Sequence, residues 1–186
     1  IMIEKSAGKD AGFLDLSYVA SGARTTSRKD ISGIADVVVH IQPPAEDEIS
    51  VMKNGTVLVS LLNARSNPAC VSALASAGVT ALAMDLVPRI ARAQRMDVLS
   101  SQASIAGYKA ALLAANSLGK YLPMMMTAAG TIPPAKILVL GAGVAGLQAI
   151  ATARRLGAVV KGFDVRAAAG EQVESLGATF IQPPAA

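Results

Sequence analysis

Short apolar runs alternate along this chain with stretches whose apolar positions recur at helical spacing, and turn residues punctuate the two. Asp36 to Ile41 predicts a buried strand, stopped by Pro43-Pro44. Glu46 to Lys53 predicts a short helix, Asn54-Gly55 a turn, and Thr56 to Ser60 the next strand. Asn67 and Pro68 stand where an N-cap and a first helical residue belong, so a helix is expected from Pro68 to Ala77. Gly78 ends it, and Val79 to Met84 reads as another strand. Residues 1 to about 88 therefore predict a parallel α/β layer. Residues 89 to 103 have no clear period. Ser104 to Gly119 again looks helical, with Ile105, Tyr108, Leu112 and Ala115 on the apolar face. Pro123 and the run Met124-Met125-Met126 follow, and methionines in such a run usually fill a pliable core or a domain interface.

The sharpest pattern lies beyond. Ile137 to Leu140 is a short apolar strand that runs into Gly141-x-Gly143-x-x-Gly146. A helix-compatible run comes next, then a second strand from Val159 to Phe163 that ends in Asp164. Strand, glycine turn, helix and distal acid together form the dinucleotide-binding pattern. Gly141 permits the tight turn, Gly143 lets a pyrophosphate approach the backbone, and Gly146 lets the helix pack on the strand. The helix N-terminus offers unpaired N–H groups and partial positive charge to phosphates. Val144, Leu147, Ile150 and Ala151 share one helical face, and Gly157 is a natural C-cap. Asp164 follows Gly141 at about the twenty-residue interval of the acid that accepts hydrogen bonds from the adenosine ribose. Its charge repels a 2′-phosphate and favours NAD over NADP, whereas Arg166 nearby could face such a phosphate. A short helix near Gln172 to Leu176 and a strand near Thr179 to Gln182 complete the reading.

Composition narrows the classes. The 186 residues are 52% apolar but only 3% aromatic, which suits tightly packed α/β layers and allows a sizeable core. A net charge of +4 without a dense Lys/Arg run gives no nucleic-acid footprint. Cys70 is the single cysteine, so there is neither a disulfide framework nor a thiolate metal site, and it reads as a small core residue at a helix start. No apolar run reaches the roughly 18 residues of a membrane span, since Lys109 interrupts the longest. The chain opens in strand-like sequence and closes on Pro183-Pro184-Ala185-Ala186, so a fragment lacking sequence at both ends is expected. Ile-Gln-Pro-Pro-Ala occurs at 41–45 and again at 181–185, each time terminating a strand.

Arg89 to Gln102 is dense in polar groups and starts at the carboxyl end of a predicted strand, where α/β proteins bind ligands. Arginine, glutamine, aspartate and serine could hold a carboxamide and ribose hydroxyls. A solvated loop whose charges pair locally has the same composition. Arg92-Ala-Gln-Arg-Met-Asp97-Val-Leu-Ser100-Ser-Gln102, with Ala106-Gly107-Tyr108, closely resembles the NAD(H)-binding subunit of proton-translocating NAD(P) transhydrogenase. So do Pro123 to Ala135, Gly141 to Ala158, Asp164 to Ala167 and Glu171 to Gly177. The match is strong from about Arg89 to Phe180 and looser before it.

This resemblance implies two Rossmann-like parallel-sheet α/β domains joined by a linker helix, the second incomplete in this chain. Residues 1–103 would form the first domain with its polar loop, 104–122 the linker helix, and 123–186 the opening portion of the NAD-binding domain. NAD(H) would bind here and NADP(H) on a partner domain, with hydride passing directly between them, coupled to protons crossing a membrane domain. The residues matching Arg89 and Asp97 hold the nicotinamide end, Gln94 matches the contact with the NADP(H) partner, and Ser100 supports the site. Val144, Asp164, Val165 and Arg166 match positions around the pyrophosphate and adenosine ribose. The family works as a dimer, peripheral to a bacterial inner membrane or a mitochondrial one. Hydride transfer needs no side-chain acid or base, so Arg89, Gln94 and Asp97 are active-site residues in a positioning sense. Alanine dehydrogenase shares the architecture and is the competing reading. Its pattern puts a lysine at the end of the strand Val37 to Val39 and a histidine after the strand near Val59, where this chain has His40 and Leu61. His40 then reads as a structural residue with no partner that the sequence can name.

Overall fold

The computed structural model describes residues 1–182, and the chain divides into two compact units, Ile1–Asp97 and Val98 onward. Prolines 183 and 184, and so most of the second Ile-Gln-Pro-Pro-Ala copy, lie outside the described residues.

In the first unit β1 (Met2–Glu4) is followed by α1 (Asp15–Ala20), β2 (Arg24–Thr26), α2 (Arg28–Ile34) and β3 (Val37–Val39). Then come α3 (Glu46–Val51), β4 (Val57–Ser60), α4 (Pro68–Ser76) and β5 (Thr80–Ala83). β1 pairs with β2, and β3, β4 and β5 form a separate sheet in that order, every pairing parallel. Leu58 on the central strand is fully buried and packs with Val38, Ile49, Met52, Leu62, Cys70 and Leu74. Cys70 is thus the small core residue that its position suggested, and burial pushes its thiol up.

Two expectations change here. The strand foreseen over Asp36 to Ile41 is shorter and only half buried: Val37 is 58% and Val39 78% exposed. β3 is an edge strand, with a neighbour on the β4 side alone. Asn67 occupies the N-cap position of α4, but its side chain caps nothing. Glu48 caps α3 instead, its carboxylate accepting the Ala45 N–H at 2.8 Å.

The second unit begins with α5 (Val98–Ser117), which starts six residues before the predicted Ser104. A hairpin follows, β6 (Met125–Thr127) and β7 (Gly130–Ile132), antiparallel about an Ala128-Ala129 turn. Then come β8 (Lys136–Leu140), α6 (Val144–Arg155), β9 (Val159–Phe163), α7 (Gly170–Ser175) and β10 (Thr179–Ile181). β8, β9 and β10 are parallel, with β9 central. Ile150, Val160 and Val173 form the fully buried centre, joined by Phe180, Ala153 and Ala158.

Again the structure corrects the apolar pattern. Ile105 and Tyr108 are 59% and 51% exposed, so they do not mark the packed face of α5. That face is the small-residue row Gly107, Ala111 and Ala115, spaced four apart. Gly107 lies so close to the Ala145 backbone of α6 that a Cβ would collide with it, and the helices meet there because no side chain holds them apart. The methionine run is likewise no core filler: Met126, on the hairpin, is 81% exposed.

Candidate functional site

The glycine loop is built from β8, α6 and β9. Gly141 leaves β8 at φ +95°, in the left-handed region that favours glycine, and donates its N–H to the Phe163 carbonyl at 2.7 Å. Gly146 lies one turn into α6, where a Cβ would strike the Gly141 carbonyl. This confirms close helix–strand packing as its role. Gly143 differs from both. It is the N-cap of α6 in extended conformation, makes no side-chain cap, and a Cβ there would meet nothing within 4 Å. The fold itself therefore has no need of glycine at 143, and the space beside the uncapped helix start stays open to a ligand. Val144, the first residue of α6, is 45% exposed beside that space. At the other end the chain turns at Gly157 (φ +92°), whose N–H bonds the Arg154 carbonyl while Ala158 N–H bonds Ala153, the paired closure expected of a glycine stop.

Asp164 follows β9 directly and is 6% exposed. Its Oδ2 accepts the Ala142 N–H at 2.8 Å, which ties the tip of β9 to the glycine loop. Arg166 folds back on it: Oδ1 accepts the Arg166 backbone N–H and Nε, and Oδ2 accepts Nη2, each at 2.9 Å. The Arg166 guanidinium first, then the two backbone amides, hold the Asp164 carboxyl well below the usual carboxylate range. The carboxylate has about four acceptor positions, and all of them are engaged within the protein. Sequence reading placed the acid correctly but not its partners; no spacing rule announces the Ala142 amide or the forked arginine. Val165, between them, is 78% exposed.

The polar segment belongs to the end of the first unit and the start of α5. Arg89 precedes a 3-10 helix over Ala91–Met96, and Arg89 and Gln94 are exposed. Buried Ala93 anchors this turn. Asp97 is half-buried and its N–H bonds the Gln94 carbonyl at 3.3 Å; Ser100 is half-buried in the first turn of α5. The structure thus gathers Gly141, Gly143, Val144, Gly146, Asp164, Val165 and Arg166 around one loop, and Arg89, Gln94 and Asp97 along one short turn. Beyond the carboxyl ends of β4 and β5, an open cleft of about 410 Å³ is lined by Asn63, Arg65, Ser66 and Asp85 to Pro88. The Asp85 carboxylate accepts the Leu62 N–H there at 2.7 Å.

His40 does have partners. Its Nδ1 donates to the Gln42 carbonyl, and Nε2 lies 3.9 Å from Glu48 Oε1. Leu61 follows β4, as read from the sequence. Among the described residues no helix is long and apolar enough to cross a membrane.

Family models of the alanine dehydrogenase/PNT N-terminal and C-terminal domains match residues 1–106 and 110–185. The chain is 51% identical, over 97% of its length, to an NAD(P) transhydrogenase subunit alpha of Rhodospirillum rubrum, of which it covers 49%. The crystal structure of transhydrogenase from Sinorhizobium meliloti superposes with a TM-score of 0.91 at 54% identity, covering 97% of this chain and 54% of that one. Alanine dehydrogenase of Mycolicibacterium smegmatis is 28% identical over 89% of this chain and 45% of its own. The chain spans about half the length of these curated relatives.

Proposed function

The chain belongs to the alanine dehydrogenase/PNT family, and we propose that it is the NAD(H)-binding component of a proton-translocating NAD(P) transhydrogenase. The observation that carries this reading is the glycine loop: space at Gly143 that the fold does not use, an uncapped helix start, and a buried acid at the end of the next strand. These features fit the pyrophosphate and adenosine ribose of NAD(H). When bound, that cofactor supplies the hydride.

The protein's role is to hold and orient. Gly141, Gly143 and Gly146 bring the backbone to the pyrophosphate, flanked by Val144. Asp164 accepts from the ribose hydroxyls, which requires Arg166 to release one arm of its fork. Arg166 is free to do so, because its side chain is 65% exposed. Val165 lines the same edge. Arg89 and Asp97 position the nicotinamide end, Ser100 supports them, and Gln94 faces the domain that carries NADP(H). None of these roles moves a proton. The remaining partners are a membrane proton channel and a second copy in a homodimer, with the assembly peripheral to a bacterial or mitochondrial inner membrane.

Support for this reading over amino-acid oxidation comes from two positions. Leu61 has no transferable proton, and the His40 ring is engaged by Gln42 and Glu48. Stopped-flow mixing of the full-length gene product with a transhydrogenase NADP(H)-binding domain, NADH and an NADP⁺ analogue tests the proposal. Fast transfer that needs both proteins is expected. Asp97→Asn should slow that transfer while NADH affinity changes modestly. Turnover of alanine with NAD⁺ and no transfer would overturn it.

A further inference from the structure

The Asp164–Arg166 pair holds more binding capacity than NAD(H) uses. Arg166 stands just before the 3-10 turn Ala167–Ala169, and its side chain folds back on the tip of β9. A guanidinium carries five N–H donors. Two of them reach the carboxylate, Nε to Oδ1 and Nη2 to Oδ2, each at 2.9 Å. The other three have no acceptor among the described residues, on a side chain that is 65% exposed. The arginine holds the Asp164 carboxyl well below the usual carboxylate range, so both members are charged at neutral pH. Neither has a second ion-pair partner among the described residues, and the pair as a whole carries no net charge.

The two nicotinamide cofactors meet this pair differently. A ribose 2′-hydroxyl can donate, and it takes the acceptor position on Asp164 that one arm of the fork gives up. A 2′-phosphate at neutral pH is a multiply charged acceptor with little to donate. The carboxylate repels it while the guanidinium beside the carboxylate attracts it, and at nearly equal distances the two effects offset each other. The acid therefore cancels the arginine. Without the acid's charge, a cation with three unspent donors remains, in the fork geometry that suits phosphate.

On the assignment of the glycine loop to NAD(H), we propose that Arg166 is a 2′-phosphate clamp masked by Asp164, so that the pair and not the acid alone sets the choice between NAD(H) and NADP(H) at this site. Masking keeps NADP(H) off the loop, as hydride transfer between two differently loaded sites demands.

Calorimetric titration of the full-length gene product, without an NADP(H)-binding domain, with NADH and with NADPH tests this. The wild type should bind NADH and take NADPH at least about 100-fold more weakly. Asp164→Asn should tighten NADPH binding about tenfold or more while NADH weakens roughly tenfold, so the two affinities converge. Adding Arg166→Ala should cancel the NADPH gain, and adding Arg166→Lys, a cation without the fork, should keep part of it. No gain in Asp164→Asn, or a gain that survives Arg166→Ala, would overturn the proposal. Should the asparagine variant fail to fold, Asp164→Ser makes the same comparison with a shorter neutral side chain, and the same two results overturn it. A wild type that binds no NADH would overturn the loop assignment and the proposal together.

Discussion

The two units divide their strands differently: the first holds two separate parallel sheets, the second one parallel sheet and an antiparallel hairpin. In the second, the central strand β9 has a neighbour on each side, and Ile150, Val160 and Val173 are sealed between sheet and helices. In the first, β4 is likewise central, and edge residues stay in water in both units, Val37 and Val39 on β3 and Leu138 and Leu140 on β8. Within the second unit the glycine loop is held by Gly141 N–H on the Phe163 carbonyl and Ala142 N–H on the Asp164 carboxylate. The first unit carries its polar turn after β5, anchored by buried Ala93.

The largest contrast lies within the glycine motif. Gly146→Val should disrupt the second unit, because the new side chain meets the Gly141 carbonyl and neither backbone can retreat; a loss of about 3 kcal/mol or more is expected in chemical denaturation. Gly143→Val should leave folding nearly intact, since nothing in the protein occupies that space, yet abolish NADH binding by calorimetry. Survival of binding in Gly143→Val would sink the assignment of the loop.

Core truncation sharpens the comparison between units. Leu58→Ala and Ile150→Ala each remove a fully buried aliphatic group, and each should cost about 3 kcal/mol. The thinner core around Leu58 can relax more, so its loss should fall toward the low end of the usual range of about 2–5 kcal/mol, measured by denaturant midpoints. A larger loss at Leu58 would show the first unit to be the better packed of the two.

How much of this was legible follows the same divide. The second unit announced itself because glycine spacing, strand ends and the distal acid are tied to local backbone geometry. Strand β9 over Val159–Phe163 stands where the periodicity put it. The face of α5 was misread because hydrophobicity marks Ile105 and Tyr108, while packing against α6 depends on the absence of side chains at Gly107. The exposure of β3 was invisible for another reason. Burial of a strand depends on its lateral neighbours, which its own residues do not name. Within the site, Asp164 was found from spacing, but its closure by Arg166 and Ala142 is a tertiary arrangement.

Asp164 offers an intermediate effect. Asp164→Asn keeps an acceptor for the Ala142 amide but loses the charge that binds Arg166, and NADH affinity should drop roughly tenfold. Because the folded-state pKa is depressed, the stabilisation by the carboxylate is complete above about pH 4 and disappears as the pH falls below it. The wild-type protein should thus be the more stable at about pH 7 and converge with the variant in acid, as followed by circular dichroism. A stability gap that failed to narrow as the pH fell from about 4 to about 2 would place the effect in packing rather than charge.

The smallest effect contrasts the two helix starts. Helix α2 begins with Ser27, whose hydroxyl accepts the Asp30 N–H at 3.2 Å and donates to the Asp30 carboxylate at 2.6 Å. Helix α6 begins with Gly143 and has no side-chain cap. One start is satisfied from within and the other is left for an anion. Ser27→Ala should therefore cost about 1 kcal/mol. It should also raise the Asp30 pKa, because the Ser27 hydroxyl is the main group holding that carboxyl low, with Thr26 second. NMR titration of Asp30 reads the pKa and denaturation reads the stability, while NADH affinity should not move. A change in NADH affinity would show that the cap of the first unit bears on the ligand site, and the division between a structural helix start and a ligand-binding one would fail.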